Sequence, residues 1–241
     1  MNVWTECQGE QQICALDLQP WRLVEAQHIL STRDLVDTAK EHELLEALLE
    51  RAKPPIHQQA DYLIFTPFRY PSLKYGSRFA QSFECSCWYG SLEFETALSE
   101  IAYYRFLFLK DTTADLGYIE VLLTAFQAWL KTLKGIDLTK PPFLAYRDSI
   151  SDKTSYQTSH ALGRSMRAAQ VEAFVFYSAR SQQNGSNVAA FIPDIFQRHQ
   201  GQQTFHHQTW QCMANHEFVE FTRSDLRGVK RHVFSAAEFT S

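Results

Sequence analysis

The chain has 241 residues, 45% of them hydrophobic and 21% charged, with a formal net charge of −4. That is an ordinary globular composition, long enough to bury a core without disulfides or metal. The basic residues are scattered, which excludes a nucleic-acid surface of the usual kind; the mild cluster Arg223, Arg227, Lys230 and Arg231 reads as a solvated face.

Five cysteines, Cys7, Cys14, Cys85, Cys87 and Cys212, make an odd and irregularly spaced set. Reduced thiols in a cytoplasmic protein fit that pattern better than a secreted disulfide framework. Cys85 and Cys87 lack a partner pair at finger-like spacing, and His206-His207 is adjacent, so no metal site is expected. The start, Met1-Asn2-Val3-Trp4 with Glu6 and Glu10, has no basic stretch followed by an apolar core. It does not read as a signal peptide, and no apolar run approaches the length of a membrane span.

In chain order, residues 1–60 read as a helical extension. Ser31-Thr32-Arg33-Asp34 looks like a helix start, Leu35, Ala39, Leu45 and Leu48 recur at helical spacing, and Lys53-Pro54-Pro55 ends the run. Trp21, Leu23 and Val24 are assigned to the same extension. Residues 61–241 form the main domain. Tyr62–Phe65 and Cys87–Tyr89 are short strand candidates. Ser91 is the expected cap of the next helix, on which Ala97, Glu100, Ile101 and Tyr104 share one side. The stretch 118–138 suits a strand or a helix, and the exit loop with Pro141-Pro142 favours strand. A helix follows over 156–169, then a buried strand over 171–177, a polar loop with Gly185 and a short strand over 188–191. Closing strands are expected over 204–221, with a break near Ala214-Asn215, and over 229–234. Helices and strands intermix without a βαβ rhythm or a Gly-rich phosphate loop, so the fold class is α+β.

Four elements stand out in order. They are Thr66-Pro67-Phe68-Arg69-Tyr70-Pro71 with Gly76-Ser77-Arg78-Phe79; Trp88-Tyr89-Gly90; Glu95 to Glu100; and Tyr177-Ser178-Ala179-Arg180 with Gly185-Ser186-Asn187. Arg78, Tyr89 and Glu100 are spaced by eleven and eleven. Taken alone, Arg78 reads as a solvated loop residue, Tyr89 as core, Glu100 as a solvated helix acid and Ser178 as a turn cap. His28, His57, His160 and His199 form no recognisable triad with Ser178 or a cysteine.

The ordered set resembles the RES family, named for an Arg, a Glu and a Ser. The likeness runs from about Tyr62 to Phe196 and is closest from Phe68 to Tyr104. It implies an ADP-ribosyltransferase-like core, with two small, mostly antiparallel sheets flanking an NAD+ cleft. It implies NAD+ as substrate rather than cofactor, with inorganic phosphate as a possible co-substrate. It also implies a toxin paired with a helix-turn-helix antitoxin. Arg78 matches the family Arg, Tyr89 its aromatic position, Glu100 its Glu and Ser178 its Ser. The Gly-Ser-Arg-Phe form departs from the commoner Gly-Arg-Trp, and Arg69 is close enough in sequence to share the work of Arg78.

The chemistry agrees with those roles. A planar guanidinium suits a pyrophosphate. An aromatic face suits the nicotinamide cation. Cleavage builds positive charge on the ribose, which a carboxylate such as Glu100 stabilises. Ser178 would orient the ribose or the nucleophile, and Arg180 and Asn187 fit the same loop. Three outcomes stay open: NAD+ degradation by phosphate or water, transfer of ADP-ribose to a protein, or an inert nucleotide- or antitoxin-binding protein. Glu93 and Glu95 lie too far before Glu100 to be the acceptor-activating acid of a transferase, which favours degradation.

Overall fold

The computed structural model describes residues 2–26, 35–52, 61–69, 76–114, 116–225 and 228–239. The first half carries α1 (Val3–Glu6), β1 (Cys14–Leu18), β2 (Trp21–Glu25), α2 (Ala39–Ala52), α3 (Tyr62–Arg69), β3 (Trp88–Ser91) and α4 (Phe94–Asp111). The long strand β4 (Ile119–Asp137) leads to α5 (Arg147–Ile150), α6 (Gln157–Ala168), β5 (Ala173–Tyr177) and β6 (Ser186–Ala190). The chain closes with β7 (Phe196–Gln197), β8 (Thr204–Ala214), β9 (Phe218–Asp225) and β10 (Gly228–Ser235).

Helices and strands are mixed, as expected, but the strands do not separate into two small sheets. Among the described residues they join in one ten-stranded sheet with the order β10-β9-β8-β4-β2-β3-β6-β5, with β1 and β7 also paired to β4. The reason is β4. Its first half pairs with β2 and β8, while its second half pairs with β1, β7 and, in parallel, β5. The inward face changes along it. Leu123 and Ala125 pack in the core under α4, whereas Phe126, Ala128 and Leu130 pack on the opposite face with Trp88 and Phe196. The register with β8 shifts at the changeover: the step from Ala125 to Gln127 is matched by one residue more in β8, between Gln208 and Phe205. One strand burying first one face and then the other loses a single period of two, hence its ambiguous sequence pattern.

Other expectations are corrected. Trp21, Leu23 and Val24 lie in β2, inside the sheet, and not in a helical extension. Leu23 is buried against the α4 core while Val24 packs on the other face, so five residues of alternation were enough once neighbouring strands supplied hydrogen bonds. Tyr62–Phe65 is helical, within α3. Asp61 starts it: its carboxylate accepts from the Leu63 N–H at 2.9 Å and its carbonyl from Ile64 and Phe65. Ser91 ends β3, and Glu93 takes the cap position of α4. The expected start at Ser31–Asp34 and stop at Lys53-Pro54-Pro55 lie outside the described residues. The described helix there begins at Ala39, behind a capping box in which Thr38 and Glu41 bond each other reciprocally. Leu35 precedes it, and Leu44 and Leu48 on it are exposed.

The strands at 119–137, 173–177, 186–190, 204–214, 218–225 and 228–235 and the helices at 94–111 and 157–168 fall where the pattern puts them. Phe79 meets Phe174 and Phe176 edge to face at 4.6 and 4.8 Å, fixing the segment after Arg78 against β5.

Candidate functional site

β2 and β3 share one residue pair, Trp21 with Ser91. A cleft of about 280 Å³ lies here, lined by Arg22, Arg78, Tyr89, Glu100, Tyr104, Tyr156, Arg180 and Asn187 among others. Its apolar wall includes Leu23, Ala97, Ile101 and Phe176.

Glu100 is placed by α4, whose same side also brings Ala97, Ile101 and Tyr104 to the cleft. Two hydrogen bonds of 2.6 Å converge on its Oε1, from Ser178 Oγ and from Asn187 Nδ2. The Asn187 amide is itself oriented, because its Oδ1 accepts from the buried Ser91 hydroxyl at 2.7 Å. Ser178 Oγ accepts from the Arg180 and Ser181 N–H groups at 3.0 and 3.1 Å. Ser178 therefore caps its turn and holds the carboxylate at once. It touches Glu100 but does not itself line the cleft.

The loop between β5 and β6 reaches α4 because Gly185 has no side chain. A Cβ there would overlap Thr96 Oγ1. Ser99 Oγ adds a 2.7 Å bond to the Arg180 carbonyl, so two adjacent α4 residues, Ser99 and Glu100, each grip the loop. Glu93, at the head of α4, accepts from Thr96 Oγ1 and the Ser186 N–H.

The cleft also carries cations. Arg78 Nη1 donates to the Asp152 carbonyl at 2.7 Å and the Ile150 carbonyl at 3.3 Å, with its guanidinium carbon 4.7 Å from the Tyr156 ring centre. Arg180 is buried, donates to the Lys153 carbonyl at 2.9 Å and lies 3.5 Å over the Tyr103 ring. Arg78 and Arg180 thus both donate to carbonyls of one segment, 150–153. Tyr89 lines the cleft while its hydroxyl is paired with Ser77 Oγ at 3.0 Å and accepts from the Phe79 N–H at 3.3 Å. Burial, with the Cys87 thiol beside it, pushes that phenol well above its ordinary range. Tyr89 is neutral at physiological pH.

The structure thus gathers Arg78, Tyr89, Glu100, Arg180 and Asn187 around one cleft, with Ser178 behind Glu100. Arg69 is not among the lining residues; it is buried at the end of α3. The sequence reading missed Arg22, Ser91, Tyr104 and Tyr156. Tyr104 had a signal, since it stands four residues after Glu100 on one helix side. Arg22 and Ser91 had none of comparable strength, because their place depends on which strands adjoin.

A family model described as the RES domain matches residues 48–210. Among solved structures, the crystal structure of the M. tuberculosis MbcT-MbcA toxin-antitoxin complex contains a similar chain. The likeness has a TM-score of 0.50 at 10% sequence identity and covers 85% of this chain and 90% of that one; it bears on the fold alone. No curated protein matches at the same stringency. All seven site residues read from sequence lie inside 48–210, whereas β1 and β2 precede it.

Proposed function

This chain belongs to the RES family, and from that premise we propose that its cleft binds NAD+ and cleaves the nicotinamide–ribose bond, by phosphorolysis or hydrolysis. The observation that carries this reading is the anchored Glu100 carboxylate. Ser178 and Asn187 both hold Oε1, and among the described residues Oε2 accepts no hydrogen bond. A carboxylate fixed in that way on a cleft wall suits the positive charge that grows on the ribose C1′ and its ring oxygen as the bond breaks. Nicotinamide departs neutral with the bonding electrons, so no general acid is needed. Phosphate or water then adds to C1′.

Arg78 and Arg180 are the groups for the pyrophosphate, each stacked on a ring and ready to exchange a loop carbonyl for a phosphate oxygen. Tyr89, neutral and held by Ser77, offers a ring edge or face to the nicotinamide. Neither Glu93 nor Glu95 is a lining residue, and Glu93 is occupied in bracing the loop, which supports degradation over transfer to a protein acceptor. On the family likeness, the activity is that of a toxin restrained by a helix-turn-helix antitoxin.

The test is to incubate the purified protein with NAD+, with and without phosphate. Nicotinamide release is the expected result. ADP-ribose 1″-phosphate formed only with phosphate identifies phosphorolysis; free ADP-ribose in either buffer identifies hydrolysis. Release of no nicotinamide by folded protein removes the reading, and ADP-ribose attached to protein in place of either product gives the transferase.

A further inference from the structure

The third cation of the cleft, Arg22, comes from β2 and lies outside the segment matched by the family model. Its environment differs from that of Arg78 and Arg180. Nη1 donates to the Tyr89 carbonyl at 2.7 Å, and the guanidinium carbon sits 5.2 Å from the Trp88 ring centre. Nε is buried and has no hydrogen-bond partner among the described residues. No ion pair joins Arg22 to a carboxylate among those residues; the nearest acid of its own strand, Glu25, is bridged to Arg105. Burial pulls the guanidinium down to about 10, so it remains charged at neutral pH.

An unpaired cation inside protein is costly, and a donor without an acceptor adds to that cost. One hydrogen bond to a strand carbonyl needs no guanidinium; a shorter amide would serve. A residue that satisfies the sheet with one nitrogen and leaves the rest of its charge at a cleft wall is suited to an anion in the cleft.

We propose that Arg22 is a substrate-binding residue that takes phosphoryl oxygens, and that β2 is therefore part of the binding site and not an accessory to it. The proposal rests on the NAD+ reading above. Two sources share this chemistry: the pyrophosphate of the dinucleotide and a free phosphate that attacks C1′. The position of Arg22 in the lining of the same cleft as Glu100, bonded to the Tyr89 carbonyl, admits either.

Equilibrium binding separates the cases, measured in the Glu100→Gln background so that ligand is not consumed. The probes are NAD+ and nicotinamide riboside, which lacks both phosphates, in phosphate-free buffer. Arg22→Gln should weaken NAD+ binding by about tenfold or more, the scale of a charge-assisted hydrogen bond, and leave nicotinamide riboside unchanged. If both probes are untouched but, with Glu100 restored, the phosphate concentration for half-maximal turnover rises by a similar factor, the anion is free phosphate. An equal loss for both probes marks Arg22 as a sheet brace and overturns the proposal; so does no change in any of the three measurements. Should Arg22→Gln not fold, Arg22→Met, which keeps the stem over Trp88, is measured in the same way. Failure of both variants to fold assigns Arg22 to the sheet alone. Absence of NAD+ binding when Arg22 is intact overturns the NAD+ reading itself, a result distinct from any of these.

Discussion

Two parts of the cleft lining, the carboxylate wall and the cationic wall, named for the groups they carry, are built on opposite principles. On the carboxylate wall Glu100, Ser178, Asn187 and Ser91 form a chain in which each donor finds an acceptor, at 2.6 to 2.7 Å. On the cationic wall Arg22, Arg78 and Arg180 donate to backbone carbonyls, with no carboxylate paired to any of them among the described residues. The first wall is held in place by its own hydrogen bonds without a ligand. The second holds charge that a ligand would complete. A group that stabilises a transition state works best when it does not have to reorganise, whereas a group that captures an anion must have donors to exchange. Substitutions on the two walls should therefore separate turnover from affinity.

The largest expected effect is on the carboxylate wall. Glu100→Gln keeps the shape and an acceptor for Ser178 but removes the charge. Turnover should fall by about 10²–10³ with NAD+ affinity little changed. Steady-state kinetics with folding checked by circular dichroism reads this, and near-normal turnover would return Glu100 to the role of a solvated helix acid. Next comes the cationic wall. Arg78→Ala removes contacts shared by ground and transition states, so KM should rise by about tenfold or more while kcat holds. A fall in kcat without a rise in KM would erase the distinction between the walls.

Ser178→Ala should fall between these two in kind, lowering turnover by about tenfold, because Oε1 keeps its bond from Asn187 while the loop loses its cap. Its double mutant with Asn187→Ala sharpens the comparison. If the two act as one clamp on Glu100, their effects will be non-additive, and simple additivity would show independent roles. The smallest effect is expected from Ser91→Ala. It strips the buried Asn187 Oδ1 of its donor, a cost of about 1–3 kcal/mol that should appear as a lower Tm, with a smaller change in kcat than that of Ser178→Ala. An unchanged Tm would mean that water replaces the hydroxyl.

Much of this molecule is legible in its residues. Long periodic runs placed α4 and α6, and the apolar stretch 171–177 marked β5, because such segments carry their burial pattern locally. The order of Arg78, Tyr89, Glu100 and Ser178 pointed to one site, and α4 alone dictates that Glu100 shares a side with Ala97 and Tyr104. The short elements were less legible. Tyr62–Arg69 has strand-like residues and becomes a helix because Asp61 caps it, and Trp21–Glu25 becomes a strand because β4 lies beside it. Four or five residues hold too little periodicity to outweigh such neighbours.

Residue types and spacing pointed to the groups proposed to carry the chemistry: a carboxylate on a helix, a serine and an asparagine nine residues apart at the two ends of one loop, and arginines before and after. Only the tertiary structure decided that Ser91 orients Asn187, that Ser178 bonds Glu100 without lining the cleft, that Arg69 is not among the lining residues, and that Arg22 joins the cleft from a strand near the start of the sequence. Those relations span 67 to 96 residues, from Arg22 to Tyr89 and from Ser91 to Asn187. They are set by strand pairing and by the absence of a side chain at Gly185, both of which depend on what packs opposite, and local propensity carries no record of that.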